Sequence, residues 1–155
     1  MDEDEIKAEL YASLERPNGW QAIQHLVRQL HKCDSNVLRD AMLSIFEDEH
    51  ANRFAAQEVA GGILWLLKPP YDGDISSDLR RLIPRWDVSV EELPWYLAEA
   101  EGIEATQAAA KNRLCEDLPD ALKKRYETVV WWLSHRDPDA FRQELDSRWS
   151  GRLKG

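Results

Sequence analysis

Cysteine is nearly missing from this sequence: of 155 residues only Cys33 and Cys115 are cysteine, far apart and in no Cys-x-x-Cys pair. That spacing offers neither a zinc knuckle nor a dithiol redox motif, and the expectation is two free thiols, one or both buried. Long apolar runs are missing too. The longest, Val59 to Leu67, is interrupted by Gly61 and Gly62. It falls well short of the ~20 residues that span a bilayer, and it reads as a buried helix. Positive charge is outweighed, with 20 basic against 29 acidic side chains and a net charge of −9. A surface of that sign repels phosphate backbones, which argues against nucleic acid as a partner. The sequence contains no glycine-rich phosphate loop and no Gly-x-Ser-x-Gly elbow. No alternating apolar–polar segment is bounded by hairpin turns. The opening Met1-Asp2-Glu3-Asp4-Glu5 is the reverse of a secretion signal, which starts basic and turns apolar. The expectation is a soluble, cytoplasmic chain with no membrane attachment.

What is present is helical periodicity. With 43% hydrophobic and 32% charged residues, the chain is apolar enough to fold as one domain without a disulfide or metal. Ile6, Leu10 and Leu14 predict a helix over residues 2–16, stopped by Pro17-Asn18-Gly19. Trp20, Ile23, Leu26, Val27 and Leu30 predict a second, and Asp34 or Ser35 caps a third that ends near Phe46. A fourth, from about Asn52 to Leu67, is apolar nearly all round in its second half, which marks it as central. Gly61-Gly62 inside it costs about 1 kcal/mol per glycine. The expected return is the close approach of a neighbouring helix or of a bulky tryptophan. Pro69-Pro70 and Asp72-Gly73-Asp74 make a long loop. A short helix capped by Ser76 or Ser77 follows and is cut by Pro84. The next begins at Ser89 or at Pro94 and ends near Gly102. Three more are expected: Ala105 to Leu118, Pro119 to His135, and one from Asp137-Pro138 to Gly151. The fold class is therefore all-α, a single domain over residues 1–155 with eight or nine helices.

The stretch Asp48 to Ile63 resembles the second helix of a HEAT-type repeat, through Asp48, Asn52, Arg53, Ala55, Ala56, Val59 and Ala60. The family prefers an aliphatic residue where Asn52 stands. Asp34 to Ala41 is similar to a looser second copy, so the likeness covers roughly residues 20–67. It implies helix pairs stacked through small residues, with the acid capping a helix start, in a scaffold that binds another protein. An irregular helical bundle is the competing architecture.

Candidate chemistry is thin. His25, His31 and Cys33 do not share a helix face, so they are not a metal set. Glu47-x-x-His50 is a lone copy of a pair that di-iron chemistry needs twice. Asp72-Gly73-Asp74 opens like a calcium loop but has Ser77 and Ile83 where glycine and glutamate are required. No catalytic, metal or cofactor-binding residue is assigned, and no cofactor is expected. Seven tryptophans are the unusual feature. Most belong in a core. The expected exceptions are one of Trp131 and Trp132, and Trp86, in a loop with charged neighbours. The leading reading is a non-enzymatic protein–protein interaction module gripping a basic protein through an acidic surface and loop aromatics. Its partner-binding residues would be Glu47, Asp48, Glu49, Tyr71, Asp72, Asp74 and Trp86. Two alternatives stand beside it: a toxin-neutralising immunity protein, since charge complementarity speeds capture of a basic enzyme, and a small-molecule-binding or enzymatic bundle with an aromatic-lined pocket.

Overall fold

A computed structural model describes residues 1–154. Among them are nine α-helices, one short 3-10 turn and no strand. The first helix, α1 (Glu3–Glu15), opens with a reciprocal cap. The Glu5 backbone N–H donates to the Asp2 carboxylate at 2.8 Å, and the Asp2 N–H donates to the Glu5 carboxylate at 3.1 Å. Its apolar stripe, Ile6 and Leu10, packs against α2 (Gly19–Leu30), which buries Ile23, Leu26, Val27 and Leu30. Asp34 caps α3 (Ser35–Ile45) by accepting from the Asn36 and Val37 N–H groups. Next comes α4 (Arg53–Leu67), the central element, in contact with α1, α3 and two later helices. Its cap is Asn52; Asp48 lies outside the helix and binds Lys7 and Tyr11 instead. Of the two acids that open the repeat-like stretches, Asp34 thus caps a helix start and Asp48 does not.

The second half starts with α5 (Ile75–Leu82), capped by Asp74 rather than by either serine. Pro84 does not simply end it. Ile83–Arg85 tighten into a 3-10 turn, and Ser89 folds onto Asp87 in a turn of its own. The following helix, α6 (Glu92–Glu101), therefore starts after Ser89 and carries Pro94 within its first turn, where a missing N–H is harmless. A single residue, Gly102, joins α6 to α7 (Ile103–Leu114). Its φ of 97° lies where a side chain is strained, so glycine is required for so short a corner. Two longer helices follow, α8 (Asp120–Ser134) and α9 (Pro138–Leu153). The last was expected to close at Gly151 but runs on. Leu153 is buried at its end, and the Gln24 amide donates to the Arg152 carbonyl. Burial of one leucine offsets the glycine penalty.

The returning α9 packs on α2 and α4, binding the end of the chain to its beginning. The core is one continuous cluster centred on α4, with Trp65, Trp86, Trp95 and Trp149 all fully buried. Each glycine of the α4 pair meets a neighbour. A methyl group on Gly61 would press on Glu92 and Val90 of the α6 approach, and one on Gly62 would strike the Trp149 ring. Close approach of both kinds, helix and tryptophan, is thus realised. The thiols are free, Cys115 exposed and Cys33 half-buried. No helix of the described residues is long and apolar enough to cross a membrane.

Candidate functional site

The expected acidic grip is mostly occupied by the chain's own cations. Glu47 pairs with Arg81 at 2.6 Å and Glu49 with Arg85 at 2.5 Å. Asp48 accepts from the Lys7 ammonium at 2.9 Å and the Tyr11 hydroxyl at 2.8 Å. Partly exposed pairs of this kind are worth at most ~1 kcal/mol each. They nevertheless cancel much of the local negative potential. Arg81 also pairs with Asp78, which accepts a hydrogen bond from Tyr71, so Glu47 and Tyr71 stand at the two ends of one network. Asp74 serves as the α5 cap. Trp86 corrects the expectation outright: it is fully buried, and its indole N–H donates to the Val90 carbonyl at 2.9 Å. The 3-10 turn swings the ring inward, and a polar partner four residues on removes the penalty of burying the N–H.

Asp72 is exposed and pairs with Arg39 at 2.9 Å. Arg39 is itself buried, and it donates to the Pro70 carbonyl, Asn36 and Asp40. From the other side the Tyr96 hydroxyl donates to the Pro69 carbonyl at 2.6 Å. The loop after α4 is therefore pinned on both sides. Arg39→Met, which keeps the aliphatic stem, is expected to cost about 2 kcal/mol, the range for hydrogen bonds from a charged donor. It should also speed amide hydrogen exchange at Tyr71 and Asp72. An unchanged exchange rate there would mean that Arg39 does not hold the loop.

Behind this loop lies a cleft of about 320 Å³ between the end of α4 and α6. Its walls include Trp65, Pro69, Tyr71 and Tyr96, with Lys68 and Glu99 also lining it. The two tyrosine rings meet edge to face, with centroids 6.4 Å apart. Burial raises the pKa of both phenols above its ordinary value, and the neighbouring Asp78 adds to the effect at Tyr71. Both therefore remain neutral hydroxyls.

Two aromatic surfaces were not singled out in full by the sequence. Trp20 is 46% exposed and Phe54 is 49% exposed. Trp20 and Leu14, Ile23, Ala55 and Val59 line a groove of about 220 Å³ in which Glu58 is the one charged residue. The Arg152 guanidinium pairs with Glu58 at 3.1 Å and lies 5.8 Å from the Trp20 ring centroid. The available signal was position: Trp20 and Phe54 both sit in the first turn of their helices, where fewer turns of a neighbour cover a side chain. On α8, Trp131 is 46% exposed, as one of the adjacent pair was expected to be. Its ring stacks on His135 of the next turn and meets Trp132 edge to face. Compared with known proteins, the chain matches no family model, no curated protein and no solved structure.

Proposed function

We propose that the chain is a non-enzymatic protein-binding module, and that its contact surface is the groove between α2 and α4 walled by Trp20. The observation that carries this reading is the half-exposed Trp20 beside a concave apolar surface, in a protein that buries four of its seven tryptophans completely. A large ring left half in water beside a groove is the typical anchor of an interface hot spot. The partner inferred is a basic amphipathic segment. Apolar side chains would fill the space between Leu14, Ile23 and Val59, and a lysine or arginine would take the Glu58 carboxylate from Arg152. The net charge of −9 favours the approach of such a partner over long range. This moves the expected contact away from the loop acids, whose charges are paired internally, and onto a helix-borne aromatic.

The test compares binding partners captured from the native cell by the wild-type protein, Trp20→Ala and Trp131→Ala. A partner held by wild type and Trp131→Ala but weakened about 30-fold or more by Trp20→Ala is the expected result, the size of a hot-spot loss. The interaction should also weaken at high salt. A partner retained by Trp20→Ala, in a variant whose melting curve is unchanged, would remove the groove from the reading.

A further inference from the structure

We infer that the cleft between the end of α4 and α6 is a binding site for an organic cation, an alkylammonium or guanidinium group, and that Lys68 occupies the cation's place in the free chain. This site is separate from the Trp20 groove and does not depend on it.

The first argument is an inventory of donors. A cleft that binds an anion must offer N–H or O–H groups, and this one has almost none left. The Trp65 indole N–H donates to Asp146 at 2.9 Å. The Tyr71 hydroxyl donates to Asp78, and the Tyr96 hydroxyl donates to the Pro69 carbonyl. Pro69 and Pro70 have no N–H to give. Among the side chains lining the cleft, Lys68 alone remains as a donor. For a cation the same walls are well furnished. They are lined by the rings of Trp65, Tyr71 and Tyr96, of which Tyr71 is the most accessible and Trp65 is covered, and by the Glu99 carboxylate, which is shared with Arg142. Aromatic faces combined with a carboxylate attract alkylammonium and guanidinium groups.

The second argument is that a cation is already there. The Lys68 ammonium lies 4.8 Å from the centroid of the Trp65 ring. Among the described residues it has no carboxylate within ion-pair distance; Glu99, which lines the same cleft, pairs with Arg142 instead. The third argument is the backbone that carries it. Lys68 is the only described non-glycine residue with positive φ, at 45°. Left-handed geometry costs a side-chain-bearing residue about 1–2 kcal/mol, and the following proline restricts it further. Glycine is the ordinary occupant of such a helix end. Strain of this kind gathers where a residue is positioned for a purpose. Here it holds an internal cation beside Trp65, next to about 320 Å³ of space in which a second cationic group fits. Lys68 acts as a tethered competitor that an incoming cation must displace.

The experiment follows the Trp65 indole N–H in two-dimensional ¹H–¹⁵N spectra, with its peak assigned from Trp65→Phe. Wild type and Lys68→Ala are titrated with tetramethylammonium chloride, with methylguanidinium chloride and with a blocked arginine peptide, against sodium chloride of equal ionic strength. The expected result is a saturable shift of the Trp65 peak, with Lys68→Ala binding about tenfold more tightly than wild type, the scale of one desolvated cation–π contact. Glu99→Gln in the Lys68→Ala background should reverse much of that gain. Tighter binding of the peptide than of tetramethylammonium would identify the cation as a protein side chain; the opposite order would identify it as a free small amine. Equal affinity in wild type and Lys68→Ala, or no shift in either, overturns the inference. So does sodium benzoate binding to wild type and being lost in Lys68→Ala, since that would make the cleft an anion site built on Lys68.

Discussion

Gly62→Ala is expected to destabilise the protein by about 1–2 kcal/mol, although the same change in an exposed helix is stabilising. Two effects oppose each other. Alanine is favoured over glycine in a helix interior by about 1 kcal/mol. Against that, a methyl group on Gly62 would lie 2.4 Å from Cδ2 and Cε3 of Trp149, where carbon atoms need about 3.5 Å or more. Relief requires a shift of an ångström or so, and neither side is free to give it. Trp149 is fully buried, its indole N–H donates to Glu92, and the Arg152 guanidinium lies 5.3 Å from its ring centroid. On the other side is the backbone of α4, the central helix. Overpacking of this kind costs about 1–3 kcal/mol and occasionally more, so the steric term wins. Urea denaturation measures it. The double variant Gly62→Ala/Trp149→Leu should be less destabilised than the sum of the two single variants, because the added methyl fills space that the tryptophan vacates. A stabilised Gly62→Ala would show that α9 is not held against α4 by this contact.

Arg148→Met should cost about 3 kcal/mol at neutral pH, and most of that loss should disappear in acid. Arg148 pairs with Glu92 at 2.8 Å and with Glu91 at 3.1 Å, and both glutamates are buried. Glu144 and Arg136 complete the cluster, Glu144 pairing with Arg148 and Arg136 lying 3.9 Å from Glu91. Removing one member of a buried ionic group leaves the others charged and unpaired, which typically costs 3–5 kcal/mol; partial exposure of Arg148 puts the expectation at the low end. Burial raises the Glu92 pKa above the ordinary carboxylate value even with Arg148 in place, and Glu91 beside it pushes the same way. A carboxyl whose folded pKa is raised favours folding fully below its unfolded pKa. That contribution is lost as pH rises through the folded pKa. Without Arg148 the folded pKa moves higher still, so the variant recovers stability over a wider range as pH falls from neutral. Urea midpoints at pH 7.5 and pH 5 give the comparison, and Glu92→Gln in the Arg148→Met background should recover part of the loss at pH 7.5. A pH-independent deficit would instead point to lost packing of the arginine stem.

Much of the fold is local in origin, and those parts were legible. The stripes of α1 and α2 repeat at helical spacing, and Asp2, Asp34 and Asp137 stand where helix starts need an acceptor. Even the unusual Gly61-Gly62 pair announced close packing, because two glycines inside an apolar helix need a compensating contact. What it could not announce was the partner. Trp149 arrives from the last helix, and nothing in the intervening sequence marks it out from the other tryptophans.

The candidate sites were less legible, for a related reason. Trp86 was expected in water because its sequence neighbours are Arg85 and Asp87; in the structure a 3-10 turn and the Val90 carbonyl bury it. Trp20 was placed on a core-facing stripe, yet its place in the first turn of α2 leaves it half exposed. Glu47, Asp48 and Glu49 looked like one acidic patch. Their charges are paired by Lys7 from α1 and by Arg81 and Arg85 from α5 and the turn after it, two segments distant from the acids along the chain. The aromatic cleft is likewise assembled from the end of α4, its loop and α6.

That this chain is helical, where its helices begin and end to within a few residues, and that its net charge is negative are legible along the sequence, because periodicity, capping and composition act over one or two turns. Which aromatics face water, which carboxylates keep a free charge, and that Lys68 rests on Trp65 emerge only from the fold. Those outcomes depend on contacts between residues distant along the chain, and such contacts are set by how the helices pack.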